Sequence, residues 1–229
     1  MHIRPLRLSI LISALLALAA SGFAQQIRTA PDFFARVAST YEEVQDYIAQ
    51  LVVSDSETES RGTLYYRRPG SIRIDYSEPE GQIIVSDGTL LRAYIPTENV
   101  VLEQQLNSEQ QADPAQLASA EGLTLLQENY NIAYLDSPNP QALDESDSTP
   151  VVKLRLTWRT PDEQFRELVI SVDDDFLIRR IEGITVDYNR ITFDFINTRV
   201  NQSIPDSRFE FDAPSTANVY DNFLFDPTN

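Results

Sequence analysis

The chain has 229 residues and a formal net charge of −17, from 18 Lys and Arg against 35 Asp and Glu. That balance opposes nucleic-acid binding, which needs a basic footprint, and it disfavours adsorption to anionic lipid surfaces. Cysteine is absent and the single histidine is His2, which removes thiol nucleophiles, imidazole bases in the body of the chain and nearly every structural zinc arrangement; no cofactor or metal is expected, and the composition argues against an enzyme.

Residues 1–24 carry Arg4 and Arg7, an apolar run from Leu8 to Ala20 and small residues ending at Gly22, Phe23 and Ala24. They read as a secretory signal cleaved after Ala24; an uncleaved anchor is the alternative, but the apolar run is short for spanning a bilayer. Cleavage takes away two arginines and no acid, leaving a charge of −19. Residues 25–229 can bury one substantial core and hold no linker long enough to separate two, so a single domain is expected. Thr29 caps a helix opened by Pro31 and Asp32, with Phe33, Phe34, Val37, Tyr41 and Val44 at helical spacing. Asp46 to Val53 reads as a strand and Ser54 to Ser60 as a polar hairpin tip.

Gly62 to Leu106 is the most informative stretch. Tyr65 to Arg68 and Ile72 to Tyr76 are strands with Pro69 and Gly70 as the turn between them. Ile72, Ile74 and Tyr76 share one face; Arg73 and Asp75 share the other. Pro79 and Gly81 lead into the apolar run Ile83 to Val85. The Asp87-Gly88 pair supplies positive φ angles for a tight hairpin, Leu90 to Ile95 returns, and Pro96 stops it.

Asn107 to Gln116 is polar, and Pro114 is expected to start a second helix through Leu117, Leu123, Leu125 and Leu126, interrupted at Gly122. Tyr130 to Leu135 is a strand and Asp136 to Pro150 a loop. Val152, Leu154, Leu156 and Trp158 alternate with charged and polar residues, as in a half-buried antiparallel strand. Phe165 to Val172, Phe176 to Ile181, Ile184 to Tyr188 and Ile191 to Phe195 follow as strands, and Phe209 and Phe211 are placed in a last strand before Pro214. Asp173 to Asp175 lies between two strands and reads as a hairpin turn, against a carboxylate pair for glycoside hydrolysis. The pattern predicts a mainly β, α+β fold: an antiparallel sheet curled into a half-barrel or sandwich, with two helices apolar on one side. Periodicity alone does not separate an enclosed cavity from a solid core.

The ordered set Gly62, Leu64, Arg68, Pro69, Pro79, Val85, Ser86, Asp87, Gly88, Leu91, Tyr94 and Pro96 resembles the LolA family of periplasmic carriers of outer-membrane lipoproteins. Weaker agreement in strand spacing runs through the rest of the chain. The resemblance implies an unclosed half-barrel covered by a helical lid. It also implies a soluble periplasmic chaperone that shields lipoprotein acyl chains in a hydrophobic cavity between the inner and outer membranes. Its partners would be an inner-membrane ABC-type lipoprotein exporter and an outer-membrane lipoprotein receptor, and a monomer is expected.

Arg68 stands where the family has the arginine that hydrogen-bonds lid-helix carbonyls and holds the empty cavity shut. Read from the residues alone, it is a strand-end arginine paired with a nearby carboxylate. Arg67 is expected to face the other way and stay solvated. Ile72, Ile74 and Tyr76 fall where the family lines its cavity; Leu64, Ile84, Leu91, Trp158, Phe33, Phe34 and Leu126 are further wall candidates by face, with ordinary packing equally open. The chain departs from the family at Ile74 and Arg92, where an aromatic is frequent. Tyr220 to Asn229, with Phe223, Leu224 and Phe225, has no counterpart and would add a strand, cover a cavity mouth or be disordered. The alternatives are a carrier or sensor of glycolipids or phospholipids on the same half-barrel, and a structural module that binds protein surfaces.

Overall fold

In the computed structural model, which describes residues 29–106 and 117–221, the first helix, α1 (Ala30–Glu43), starts as the sequence predicts. The Thr29 hydroxyl accepts the Asp32 N–H at 3.3 Å, and Pro31 occupies the first turn, where a missing N–H costs nothing. Phe33, Phe34, Val37, Ala38 and Tyr41 form its buried stripe. Val44, expected within the helical spacing, is the extended cap residue that turns the chain into β1 (Asp46–Ser54). The signal segment, Pro114 and the Phe223 to Phe225 cluster lie outside the described residues.

The next strands are β2 (Glu59–Arg67), β3 (Ser71–Glu78), β4 (Ile83–Ser86), β5 (Leu90–Ile95) and β6 (Val100–Gln105). Helix α2 (Ala120–Asn129) is followed by β7 (Tyr130–Tyr134), β8 (Gln141–Ala142), β9 (Pro150–Trp158), β10 (Phe165–Val172), β11 (Ile178–Thr185), β12 (Arg190–Val200) and β13 (Asn218–Asp221). They form one sheet in the order β13-β6-β5-β4-β3-β2-β1-β12-β11-β10-β9-β7, with β8 on β9 to the side. Every pairing is antiparallel except β13 on β6, and the outermost strands β13 and β7 do not pair, so the half-barrel is unclosed. The two helices pack on each other and cover its inner face.

Register explains which residues turn inward. Leu64 lies opposite Ile74 and Ile74 opposite Ile84; Tyr66 lies opposite Ile72. On the other half, Leu154, Ile170, Ile181 and Phe193 form a similar row. Because side chains alternate across a strand, each row puts its neighbours' charges outside, as with Arg73 on Asp75 at 2.7 Å and Arg92 on Glu103 at 2.7 Å. Gly62 is required by a close approach. A Cβ there would sit 2.7 Å from the Asp75 carbonyl oxygen, where the β2–β3 register shifts. Gly62→Ala should therefore lower unfolding free energy by about 1–3 kcal/mol in a urea titration; an unmoved midpoint would mean that the two strands separate there without cost.

Several expectations are corrected. Helix α2 is capped by Ser119, whose hydroxyl accepts the Gly122 N–H at 3.0 Å, so Gly122 belongs to the first turn and does not interrupt the helix. Phe176 to Ile181 and Ile184 to Tyr188 are not two strands. β11 runs continuously through Gly183, which is bare because a Cβ would lie 2.5 Å from the Phe165 ring. Asp173 to Asp175, by contrast, is the turn the sequence predicts, its first carboxylate accepting the N–H groups of Asp175 and Leu177. The loop 136–150 contains β8.

The last expected strand, at Phe209 and Phe211, is instead a strap across the outer face, with a short 3-10 turn at Asp206–Phe209. Its backbone acceptors go to guanidinium groups rather than to a ladder: Arg73 donates to the carbonyls of Arg208 (3.3 Å) and Glu210 (3.0 Å), and Arg67 to that of Ile204 (3.4 Å). Arg67 thus faces outward as expected but is not solvated; it also pairs with Asp206 and lies 4.7 Å above the Phe209 ring. The chain then adds β13, the start of the unmatched tail, as a strand on β6.

Candidate functional site: arginines at the helix ends

Neither helix has a basic residue in its last turn, so the negative end of each dipole and its free carbonyls need a cation from elsewhere. The sheet provides one to each. Arg68, one residue past the end of β2, donates from Nη1 to the Glu42 carbonyl of α1 at 2.7 Å. Arg159, one residue past the end of β9, donates to the Glu128 carbonyl of α2 at 2.6 Å. Arg159 was not singled out from the sequence; the missing basic residues in both last turns were the signal for it.

Arg68 also connects the two helices. Its Nη2 lies 3.6 Å from the Glu121 carboxylate in the first turn of α2, and the same carboxylate accepts the Tyr66 hydroxyl at 3.0 Å. Glu121 suits that position because a carboxylate complements a helix N-terminus. Burial first, and the Glu121 charge second, hold the Tyr66 phenol well above its usual range, so it remains a donor. With side chains 34% and 45% exposed, the Arg68–Glu121 pair contributes little by itself; the charge-assisted bond to the α1 carbonyl carries more, about 1.5–3 kcal/mol before solvent screening. The strand-end pairing and the helix-carbonyl contact, two readings of Arg68 open from sequence, coexist in one side chain.

The wall candidates lie on one face. Leu64, Ile72, Ile74, Phe33, Phe34 and Leu126 belong to a single apolar cluster, with Tyr76, Ile84 and Trp158 packed against it. Leu91 is half-buried on the same face, opposite Ser86, and lies outside the cluster. Among the described residues, these side chains bring sheet and helices together in one apolar cluster. A groove of about 520 Å³ lies on the opposite, outer face, lined by Ile48, Gln50, Thr63, Tyr65, Asn197 and Arg199. Pro69 and Gly88 bring the β2–β3 and β4–β5 turns side by side: Gly88, at φ +91, lies against Gly70, and Asp87 accepts the Thr89 and Leu90 N–H groups. Among the described residues no group of acidic side chains could hold a metal ion, and no helix is long and apolar enough to cross a membrane.

Residues 44–212 match the family described as outer membrane lipoprotein carrier protein LolA. The chain belongs to the LolA family. Two relatives, each named outer-membrane lipoprotein carrier protein, illustrate the similarity. That of Chromohalobacter salexigens is 29% identical over 195 residues, 80% of this chain and 84% of the relative. That of Methylococcus capsulatus is 25% identical over 210 residues, 88% and 92% of the two chains. A solved structure of an uncharacterized conserved protein from Thermus thermophilus superimposes with a TM-score of 0.54 at 10% identity, covering 84% of this chain and 98% of that one, which is a likeness of fold alone. Arg68, Arg159 and Glu121 fall within the LolA match, whereas Phe33 and Phe34 precede it.

Proposed function

We propose that this LolA family member is a soluble periplasmic chaperone, not an enzyme, that carries lipoproteins between membranes by shielding their acyl chains beneath α1 and α2. Residues 1–24 would direct export and be removed. The observation that carries the reading is the Arg68 guanidinium on the α1 terminal carbonyl, above an interior built almost wholly of apolar side chains. An apolar cluster joining helices and sheet suits the closed, empty state of such a carrier. Cargo enters by displacing the helices, and an acyl chain of about 15 methylenes gains on the order of 12 kcal/mol on leaving water, well above the few kcal/mol that Arg68 holds. In a bilayer the same chain is already out of water, so moving it into the carrier recovers none of that gain and still costs displacement of the helices; loading is uphill without help. An ATP-driven inner-membrane exporter of the ABC type would load the carrier, and a tighter outer-membrane lipoprotein receptor would unload it, so direction follows from differential affinity. The acidic surface, at −19 after cleavage, keeps the carrier off anionic bilayers.

Incubating the mature protein with inner-membrane vesicles and ATP, without detergent, should yield soluble complexes in which mass spectrometry finds acylated proteins. Free lipid alone in those complexes would move the assignment to lipid carriage, and no complex at all would remove the carrier reading.

A further inference from the structure

Beneath the Arg68–Glu121 contact, three tyrosines from three elements meet: Tyr41 of α1, Tyr47 of β1 and Tyr66 of β2. The Tyr47 ring stacks on Tyr66 with centroids 5.0 Å apart and meets Tyr41 edge-on at 6.5 Å. Two of the three hydroxyls are partnered. Tyr41 accepts the Ile178 N–H at 3.1 Å, and Tyr66 donates to Glu121. The Tyr47 hydroxyl belongs to a side chain only 1% exposed and has no hydrogen-bond partner among the described residues.

A phenol buried in this way forfeits the hydrogen bond it makes to water in the unfolded chain, and phenylalanine would fill the same space without that loss. Burial also keeps the phenol protonated, so it is a donor in want of an acceptor. It sits on the inner face next to Tyr66, directly under the end of the barrel that Arg68 and Glu121 hold shut. A ligand entering there brings methylenes, which cannot accept a hydrogen bond, and the linkage of its acyl chain, which can.

We infer that the Tyr47 hydroxyl is the polar contact for the carbonyl of an ester- or amide-linked acyl group lodged between the helices and the inner face. The inference rests on the carrier reading and adds a preference to it: an acyl ester is held more tightly than the alkyl ether of equal length, which lacks the carbonyl. The same hydroxyl fixes depth. Hydrocarbon beyond the carbonyl goes inward over Leu64 and Ile74, and the head group stays at the Arg68 end.

Competition between monopalmitoylglycerol and its ether counterpart, hexadecylglycerol, read by native mass spectrometry of the mature protein, tests this. The wild type should favour the ester about fivefold, the share of one neutral hydrogen bond. Tyr47→Phe should bring the ratio close to one, while the empty variant melts no lower than the wild type. No preference in the wild type, or a preference that survives Tyr47→Phe, overturns the role of Tyr47 and leaves the carrier reading standing. A protein that retains neither lipid also overturns the role of Tyr47, and the vesicle experiment above then decides the carrier reading separately.

Discussion

Arg68→Leu should leave the sheet intact and shift the helices toward the open arrangement, so that a hydrophobic dye binds the empty variant several-fold more strongly and cargo handover to the receptor fails. Arg68 makes the bond to the α1 terminus and also approaches Glu121 on α2, so one truncation releases both helices from that end. In the carrier cycle proposed above, release of cargo is coupled to closure of the empty state. Losing that bond, at most about 1.5–3 kcal/mol before solvent screening, therefore holds cargo back by up to about tenfold to a hundredfold relative to the receptor. Arg68→Lys should fall between, because an ammonium can reach the carbonyl but lacks the planar fork that serves two partners. Dye binding and transfer both unchanged in Arg68→Leu would return Arg68 to a plain strand-end ion pair. Arg159→Leu, at the far end of α2, supplies the comparison: it should loosen α2 alone.

Ile74→Asp carries the largest expected effect. From sequence, this substitution is expected to abolish uptake before it unfolds the protein. The structure changes the order of those events, since Ile74 is 3% exposed within the continuous cluster and faces Leu64 and Ile84. An introduced carboxyl would be buried directly between the apolar Leu64 and Ile84, at a cost of several kcal/mol against a total of about 5–15 kcal/mol for a domain. Urea unfolding should therefore show a large loss of stability together with loss of lipid uptake. Ile74→Val, which trims the wall by one methylene, should cost about 0.5–1.5 kcal/mol and keep uptake. Full stability in Ile74→Asp would mean that the interior beside β3 is far looser than its packing.

What the sequence made legible follows local chemistry. Thr29, Pro31 and Asp32 define the start of α1, the Asp87-Gly88 pair defines a hairpin, and alternation in Val152 to Trp158 fixes β9, because each signal is complete within a few residues. The misreadings share the opposite property. Gly183 looks like a strand break until the Phe165 ring above it is known, and Gly122 looks like a helix interruption until Ser119 is seen capping it. Phe209 and Phe211 alternate as strand residues do, yet their segment is held by Arg67 and Arg73 from strands far away in the chain. The candidate site divides in the same way. Arg68 stands out through its Arg-Pro context, whereas Glu121, Arg159 and the unpaired Tyr47 hydroxyl are meaningful only beside their neighbours in space.

The centre of the sheet is where β1 meets β12, with Tyr47 opposite Val200 and Ser54 opposite Thr192. Strands adjacent in the middle of the half-barrel are thus among the most distant in the chain, and loop closure over such a span is slow. A chain delivered N-terminus first exposes the apolar face of β1 and its unpaired edge until nearly all of its strands have emerged. Folding of this chain therefore competes with pairing between copies at that open edge, and the outcome of the competition should set how much of it a cell can accumulate.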